Sequence, residues 1–193
     1  MEYNDLERDA KEILSEFRFT HSLGVAKKAV ELANQYGEDE EIAKKVAIVH
    51  DIAKEMTNKE LVEYANKNNI EIDEIESINP SLLHGKVGAD IVAKKYNFTE
   101  DMQNAIKWHT TGRENMTMLE KIIYVADKTE ENRKETKFNL EKSRELSKKD
   151  INETVLFLMD EFIEYNIKIG RVFHPETIKA RNYLLLKKIN KTI

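Results

Sequence analysis

The sequence predicts an all-α protein, a single helical bundle with a metal site at its centre. Three observations favour this prediction. Apolar residues recur at helical spacing along almost the whole chain, and the alternation typical of strands is absent. Only two prolines and six glycines occur in 193 residues, so residues that break helices are scarce. Most of the histidines lie in or beside apolar helix-like stretches, where an unpaired imidazole is costly to bury.

The first helices are predicted from apolar spacing and from residues that favour helix ends. One helix presents an apolar face made of Leu23, Ala26, Ala29, Val30 and Ala33. Gly37 suits its C-terminal end. The next helix is marked by Ile42, Val46, Val49, Ile52 and Ala53. Thr57 and Glu60 form a capping box that begins a third helix.

The later helices follow from the same signals. Residues 85–96 form a helix whose small residues, Gly85, Gly88 and Ala89, let a neighbour pack closely. Thr99 caps a helix that runs to Trp108 and His109. A second capping box, Thr117 with Glu120, begins a helix through Ile122, Ile123, Val125 and Ala126. The longest amphipathic segment is Ile151–Ile169, which ends at Gly170, and a last helix begins at Pro175 and runs through Leu186.

We expect one domain over residues 1–193, with a metal core at about 18–130 and C-terminal helices at about 138–193. The apolar face of Ile151–Ile169 packs either internally or against a second copy of the chain, so a homodimer is one option. Hydrophobic residues make up 40% and charged residues 35%, which favours a folded chain over a disordered one.

Composition excludes several classes of function. Without cysteine there is no disulfide frame and no thiolate metal site, and a reducing cytoplasm is the expected location. The net charge is −5 and basic residues are interleaved with acidic ones, which disfavours binding to polymeric nucleic acid. The N-terminus lacks the pattern of a signal peptide, and no uncharged run approaches the roughly 18 residues that span a bilayer.

Six residues of metal-ligand type stand in order along the chain, and they include four of its five histidines: His21, His50, Asp51, His84, His109 and Asp127. Imidazoles and carboxylates without cysteine suit one or two divalent metal ions, which usually serve hydrolysis. A single histidine on an apolar face is more often a hydrogen-bonded core residue. Six such residues together, with a charge directly after an apolar run, favour a metallohydrolase.

The spacing also suggests how the ligands divide between two ions. His50 and Asp51 point about 100° apart on a helix, yet both reach one ion that lies over the helix end. Asp51 has two oxygens and can bridge to a second ion. His21 and Asp127 complete the first site, and His84 with His109 holds the second. Two ions ~3.5–4 Å apart can activate a water and stabilise the attacking and leaving oxygens.

The order of these residues resembles the signature of the HD superfamily of metal-dependent phosphohydrolases, with His84 and His109 as in its dinuclear version. More narrowly, the chain is similar to the YqeK-type family of symmetrical diadenosine tetraphosphatases. The matching segments are Arg18–Val25, His50–Lys54, His84–Ala89, His109–Arg113, Leu119–Asp127, Asn132–Arg133, His174–Pro175 and Ala180–Asn182. Lys128–Glu131 departs from the family's Tyr-Ile-Glu-Pro type segment, so the substrate wall there is expected to differ.

This resemblance implies an enzyme that cleaves diadenosine tetraphosphate symmetrically into two ADP, by attack of a metal-activated hydroxide on a central phosphorus. The implied cofactors are two divalent metal ions, with iron as the native metal and manganese or cobalt as alternatives. A small dinucleoside polyphosphate is the implied partner. Two other functions stay open: hydrolysis of a mononucleotide, cyclic dinucleotide or pyridine dinucleotide, and a non-catalytic signalling module.

Phosphate charge requires cations and hydrogen-bond donors. Beside Asp51, the predicted catalytic residues are Lys54 and Arg113; the alternatives are that Lys54 pairs with a carboxylate and that Arg113 is a surface residue. Predicted substrate contacts are Arg18, Lys54, Thr110, Thr111, Gly112, Arg113, Asn132, Arg133 and His174. Arg18 could instead orient a carboxylate. Trp108 could stack a base, although a place in the core is the better prediction.

Overall fold

The structure is a computed structural model that describes residues 2–134 and 139–190. Within those ranges it contains eleven α-helices and no β-strand, which confirms the predicted all-α fold. The helices are α1 (Tyr3–Ile13), α2 (Glu16–Tyr36), α3 (Glu40–Val49), α4 (Asn58–Lys67), α5 (Glu74–Ile78), α6 (His84–Tyr96), α7 (Glu100–Lys107), α8 (Met118–Thr129), α9 (Leu140–Ser147), α10 (Ile151–Lys168) and α11 (Pro175–Asn190), with a 3₁₀ helix at Pro80–Leu83. The boundary expected at about residue 138 lies outside the described residues.

Helix ends follow the local signals in the sequence. Gly37 ends α2 in the left-handed region, with a φ of 76°. The capping boxes that Thr57 and Thr117 form with glutamates three residues later are both present, at the start of α4 and of α8. Thr99 accepts a hydrogen bond from the backbone N–H of Met102 at the start of α7. These predictions are therefore confirmed.

The end of α3 differs from the prediction. The helix stops at Val49 and does not continue to Ala53. From there the backbone N–H groups of Ile52 and Lys54 donate to carbonyls three residues back, those of Val49 and Asp51, so the chain tightens into successive turns. On a regular helix the adjacent residues His50 and Asp51 would point about 100° apart. The tighter turns after Val49 therefore change the directions of these two side chains.

Two apolar positions were assigned to the wrong face. Leu23 and Ile42 are each 37% exposed, although the predicted patterns placed them with buried residues. The alanines of the predicted face, Ala26, Ala29 and Ala33, are buried, and Val25 with Leu32 completes the inward side of α2, which packs between α3 and α8. The helices α2, α3 and α8 form the centre of the main core.

A smaller apolar cluster lies beside the main core, where α4 and α6 enclose the 3₁₀ helix; it consists of Ala53, Leu61, Ala65, Leu83 and Val87. The apolar face of α10 packs within the chain, against α8, α9 and α11. None of the helices in the described part of the chain combines the length and apolar character needed to cross a bilayer.

Candidate metal centre

The six predicted ligands converge in the interior, although they come from five separate parts of the chain. His21 lies on α2 and Asp127 on α8, while His84 is the first residue of α6. His50 and Asp51 follow α3, and His109 follows α7. Each is buried, with no more than 8% of its surface exposed. Five separate segments of the chain therefore contribute side chains to one polar cluster inside an apolar bundle.

The cluster divides into two groups that share Asp51. The first group is His21, His50 and Asp127, in which His21 Nε2 lies 3.1 Å and His50 Nε2 lies 3.7 Å from Asp127 Oδ1. The second group is His84 and His109, whose Nε2 atoms are 3.1 Å apart. Asp51 faces both groups with different oxygens: Oδ2 is 3.7 Å from His50 Nε2, and Oδ1 is 3.4 Å from the Nε2 of each second-group histidine.

Hydrogen bonds on the far side of each imidazole hold the rings in place. When Nδ1 donates a proton to an acceptor, Nε2 is left with a lone pair that can bind a metal. In three histidines the acceptor is a backbone carbonyl three residues earlier; the Nδ1–O pairs are His50–Ala47 at 2.7 Å, His84–Ser81 at 2.6 Å and His109–Ile106 at 2.7 Å. His21 uses a side chain, Glu130 Oε1, at 3.2 Å.

The donor set fits a divalent metal ion. Among the described residues, His50 Nε2 and Asp51 Oδ1 are buried atoms with no hydrogen-bond partner, which is costly unless a cation takes their lone pairs. The Nε2 atoms of His84 and His109 lie 3.1 Å apart beside Asp51, so three lone-pair donors meet at one point. Within this cluster, ligand atoms that all lie within 4.8 Å of one another form two overlapping sets, His21/His50/Asp127 and His50/Asp51/His109.

The protonation of the cluster follows from its charges. Burial alone would lower the pKa of His21, but hydrogen bonds to Asp127 and Glu130 raise the pKa to about 9. Burial and the nearby Lys54 ammonium lower the pKa of His84 to about 3. Burial would raise the pKa of Asp51, yet His50 and His109 hold that pKa well below its usual range. Both shared carboxyl oxygens are therefore available as anionic ligands.

Four cations surround the two groups. Arg18 Nη1 lies 3.4 Å from Asp51 Oδ2, and Arg133 Nη2 lies 3.5 Å from Asp127 Oδ1. These two side chains are each about a third exposed, at 31% and 33%. Lys54 Nζ donates to His84 Nε2 at 3.1 Å. The fourth cation, Lys128, is buried and donates to Asp127 Oδ2 at 3.3 Å.

The predicted Thr-Thr-Gly segment divides between the cluster and the core. Thr110 Oγ1 lies 3.2 Å from Nε2 of both His84 and His109, so it reaches the second group. Thr111 is buried, and its carbonyl accepts a hydrogen bond from Thr177 on α11. Gly112 has a φ of 70°, which favours glycine, and a side chain there would meet Met159. Thr111 therefore contacts α11 and Gly112 contacts α10, so both helices pack next to the site.

Three predicted substrate residues form their hydrogen bonds with residues outside the two groups. Arg113 Nε donates to Glu120 Oε1 at 2.9 Å, and Glu120 belongs to the capping box of α8. Within residues 2–134 and 139–190, Arg113 forms no hydrogen bond or ion pair with the two groups. The backbone N–H of Asn132 donates to Glu130 Oε2 at 2.6 Å, while its side chain is exposed. His174 Nε2 lies 2.6 Å from Asp73 Oδ2.

Sequence reasoning missed two residues that support the cluster. Glu130, 2% exposed, orients His21, and a side chain at Gly24 would collide with its carboxylate. Lys128 links α8 to His109, because Lys128 Nζ also donates to the backbone carbonyl of His109 at 2.8 Å. Both lie in the segment that departs from the family pattern. The signal that was available is the placement of two charged residues just after Asp127: Lys128 on the last turn of α8 and Glu130 at its end.

A close approach of two helices sets the spacing of the second group. A side chain on Gly85 would lie 2.6 Å from the carbonyl oxygen of Lys107, so only glycine lets α6 approach α7 at this point. His84 precedes Gly85 directly, and His109 lies two residues after Lys107. The prediction that small residues here let a neighbour pack closely is confirmed.

A family model of the HD domain matches residues 18–132, which is more than half of the chain and contains all six residues of the cluster. The chain belongs to the HD-domain family. This match confirms the resemblance carried by the sequence motifs. The protein is a phosphohydrolase enzyme. HD domains depend on metal ions, and the histidine and aspartate sets of this HD-domain protein are of a kind that could bind one.

Relatives of this HD-domain protein match over nearly its full length. The symmetrical bis(5'-nucleosyl)-tetraphosphatase of Halalkalibacterium halodurans is 35% identical, over 90% of this chain and 92% of the relative. The enzyme of the same name from Bacillus subtilis is 34% identical, over 91% and 93% respectively. A crystal structure from Clostridium acetobutylicum, described as a predicted HD superfamily hydrolase involved in NAD metabolism, superposes with a TM-score of 0.92 at 37% identity, covering 97% of this chain and 98% of that chain.

Proposed function

We propose that this phosphohydrolase cleaves diadenosine tetraphosphate at its midpoint, releases two ADP, and uses two divalent metal ions bound by the six clustered residues. The observation that carries the proposal is the placement of Asp51. Its two oxygens face different groups of ligands, as a carboxylate that bridges two ions must do. The names of the relatives at 34–35% identity supply the substrate.

In this proposal the first ion would be held by His21, His50, Asp51 and Asp127, and the second by Asp51, His84 and His109. Two bound ions would supply Lewis acidity, which activates water and stabilises charge on the phosphate oxygens. The residues of the chain have a different task. They fix the ligand lone pairs, exclude bulk water from the buried side of the cluster, and hold the phosphate chain in position.

Arg18 and Arg133 are the best-placed phosphate contacts. Each guanidinium lies within 3.5 Å of a ligand carboxylate, and each remains partly exposed. A guanidinium at the edge of a buried cluster can turn towards a phosphate and donate two parallel hydrogen bonds. Since both lie on the side of the first group, we expect the phosphate chain to cross the site there.

Lys54 is the corresponding cation beside the second group. Burial lowers the pKa of its ammonium, while Asp51 and Asp127 oppose that shift. Its Nζ donates to His84 Nε2, an atom that this proposal assigns to the second ion. Lys54 would therefore turn from His84 to a phosphate oxygen when that site fills. We propose the role of a cation that neutralises the departing ADP.

The chemistry of the ligands favours iron, with manganese and cobalt as alternatives. Four imidazoles and two carboxylates suit these metals, whereas magnesium prefers a shell of oxygen ligands. In the described ranges the cluster offers no sulfur donor and few protein oxygens.

The decisive experiment is a digest of diadenosine tetraphosphate in water labelled with oxygen-18. Protein reconstituted with iron, and the same protein treated with chelator, would be compared by chromatography and mass spectrometry. We expect metal-dependent release of ADP alone, with one labelled oxygen on the terminal phosphate of half of the ADP. Formation of AMP and ATP would overturn cleavage at the midpoint.

A second candidate is hydrolysis of a pyridine dinucleotide. It is favoured by the crystal structure from Clostridium acetobutylicum, whose description mentions NAD metabolism. Such a substrate has a pyrophosphate bridge, which the same two groups could contact. Parallel digests of NAD and diadenosine tetraphosphate at equal concentration separate the candidates, and a higher kcat/KM for NAD would replace the first proposal by the second.

A further inference from the structure

The end of α8 is bound by an arginine that lies on another helix, Arg144 of α9. A helix leaves its last carbonyl oxygens without partners of its own, and a nearby arginine can satisfy them while its charge favours the negative end of the helix dipole. In the described part of the chain, Arg144 Nε donates to the carbonyl of Thr129 at 2.9 Å. Its Nη2 lies 2.5 Å from the carbonyl oxygen of Glu130 and 3.5 Å from those of Glu131 and Arg133.

The segment that follows α8 carries two side chains of the candidate metal centre. The carboxylate of Glu130 accepts the Nδ1–H of His21 at 3.2 Å through Oε1, and the backbone N–H of Asn132 at 2.6 Å through Oε2. Arg133 Nη2 lies 3.5 Å from Asp127 Oδ1. The positions of both side chains therefore depend on the path of one short stretch of backbone.

This stretch has little secondary structure to fix it. Residues 130–134 belong to no helix or strand, so partners for their carbonyl oxygens have to come largely from side chains. A guanidinium has five N–H donors in one plane and can bind several carbonyl oxygens at once, which an ammonium cannot do with the same geometry. Without Arg144 these oxygens would turn to water, and the backbone could leave the path that presents Glu130 and Arg133 to the cluster.

The helix α9 is itself fixed to α2, the helix that carries His21. The backbone carbonyl of Ser147, the last residue of α9, accepts hydrogen bonds from the hydroxyl of Tyr36 at 2.8 Å and from Nε2 of Gln35 at 3.2 Å. Both donors lie at the C-terminal end of α2. Arg144 therefore connects the segment after α8 to the helix on which the first ligand is placed.

We infer that Arg144 is a positioning residue of the metal centre, which holds the segment after α8 so that Glu130 faces His21 and Arg133 faces Asp127. The inference rests on the proposed function for the role of Arg133 as a phosphate contact. Within the described ranges, Arg144 forms no hydrogen bond or ion pair with the six clustered residues, so it acts through other side chains. A cap that only stabilised α8 would lower the stability of the protein without a selective effect on the first group.

The first test measures the binding of Mn²⁺ alone, by calorimetry, at each group separately. The first group is isolated in a His84→Ala background and the second in a His21→Ala background. Adding Arg144→Ala should weaken Mn²⁺ binding roughly tenfold in the first background, at the lower end of the roughly 10–100-fold typical of residues that orient a ligand, and leave it unchanged in the second. Arg181→Ala is the matched control, because Arg181 Nε binds Asp160 on a neighbouring helix at 2.6 Å with its side chain 31% exposed.

The second test measures the KM for diadenosine tetraphosphate at a saturating concentration of metal ion. Arg144→Ala should raise KM, and Arg133→Ala should raise it further. The double variant should resemble Arg133→Ala, because the effects of two residues in one network do not add. Additive effects on KM would show that Arg144 does not act through Arg133.

A conservative variant, Arg144→Lys, keeps the charge but not the planar set of donors. We expect it to change Mn²⁺ binding and KM in the same direction as Arg144→Ala and by a smaller factor, and it replaces Arg144→Ala in both tests if that variant does not fold.

Unchanged Mn²⁺ affinity of the first group in both Arg144 variants would overturn the inference and leave Arg144 as a cap of α8. An equal loss of affinity in the two backgrounds, or the same loss in Arg181→Ala, would also overturn it, since it would reflect stability alone. If the wild-type protein does not hydrolyse diadenosine tetraphosphate, the proposed function fails, while the Mn²⁺ comparison still decides the role of Arg144.

Discussion

The two groups of the candidate metal centre contain the same type of side chain, histidine, in opposite electrostatic surroundings. In the first group, His21 lies between Asp127 and Glu130, which raise its pKa to about 9 against the effect of burial. In the second group, burial and Lys54 lower the pKa of His84 to about 3. In the metal-free protein, the imidazole of His21 therefore carries a second proton at neutral pH, and the imidazole of His84 is neutral.

The difference shows that the carboxylates around an imidazole, and not the imidazole itself, decide how a site receives a cation. Asp127 and Glu130 supply negative charge to the first group. The second group depends on Asp51 alone and has an ammonium beside it. We expect the first group to bind a metal ion more tightly and to release a proton from His21 when it does so.

Removal of the shared residue should have the largest effect, because it affects both groups. We expect Asp51→Ala to lower kcat/KM by at least roughly 10³-fold, beyond the 10–100-fold typical of residues that only orient a ligand. The far-ultraviolet circular dichroism should keep its helical signal. Asp90→Asn, which removes the negative charge that pairs with Lys94 on α6, is the control for loss of a carboxylate. Turnover by Asp51→Ala would contradict the shared-ligand assignment.

Single substitutions in each group should separate two metal affinities. We expect His84→Ala to retain one tightly bound ion, because the carboxylates of the first group remain. His21→Ala should lose the tighter of the two. Metal content after dialysis against a weak chelator, measured by mass spectrometry, gives the stoichiometry. If both variants lose the same ion at the same chelator concentration, the comparison between the groups is wrong.

Glu130→Gln tests whether the carboxylate behind His21 causes the difference. The amide can still accept the Nδ1–H hydrogen bond, but it lacks the charge. We expect metal affinity of the first group to fall about 10–100-fold, as for other groups that orient a metal-binding histidine. Glu131→Gln is the control, since Glu131 is exposed and pairs with Lys27. Equal affinities in the two variants would remove Glu130 from the account.

The metal-free protein should show opposite pH dependence for the two histidines. The folded pKa of His21, about 9, lies above its unfolded value of about 6.5, so its contribution to stability is complete below pH 6.5 and is lost as the pH rises through 9. The folded pKa of His84 is lowered to about 3, so its contribution is present above pH 6.5 and is lost as the pH falls.

Urea unfolding of chelated wild type, His21→Ala and His84→Ala between pH 5 and 9 measures this. We expect the advantage of wild type over His21→Ala to shrink with rising pH, by up to a few kcal/mol, because each pKa unit corresponds to about 1.4 kcal/mol. Its advantage over His84→Ala should shrink with falling pH. Parallel curves for the two variants would show that their surroundings do not differ.

Arg113 lies outside both groups and should give the smallest effect on activity. Since its recorded partners are Glu120 and the carbonyl of Glu114, we expect Arg113→Ala to lower the free energy of unfolding by about 1–2 kcal/mol and to leave KM within a factor of two. Arg133→Ala, next to Asp127, should raise KM clearly. A large rise in KM for Arg113→Ala would restore the phosphate contact that the motif predicts for it.

Local signals explain how much of the fold was predictable. Capping residues and the glycine after α2 act on neighbouring backbone groups, so they can be recognised without knowledge of packing. The helix α9 was not singled out within the predicted C-terminal helices, because its buried side includes Ser143 and Ser147, whose hydroxyls donate to the backbone carbonyls of Asn139 and Arg144. A helix whose buried side consists largely of serine has no repeat of apolar residues by which it can be recognised in the sequence. The helix α1 buries only Leu6 and Ala10 and gives too short a pattern.

The site was predictable in its members and not in their support. Histidine and aspartate are unusual on apolar helices, so the six clustered residues could be selected from the sequence, and the structure brings them together. The orienting role of Glu130 depends on α2 and α8 lying side by side, a contact between residues 109 positions apart. The turn that lets His50 and Asp51 face one point depends on the end of α3, which the apolar pattern placed too late.

The main-chain anchors of His50, His84 and His109 have a consequence for the evolution of substrate range. A carbonyl oxygen persists whatever side chain its residue bears, so Ser81 can hold His84 and still change identity at the wall of the cavity of about 520 Å³ beside the 3₁₀ helix and α10. Mutational drift at that wall is thereby separated from the geometry of the reacting groups. Related proteins could diverge in the nucleotide they accept while the hydrolytic machinery stays the same, and only His21, which relies on a side chain, lacks this protection.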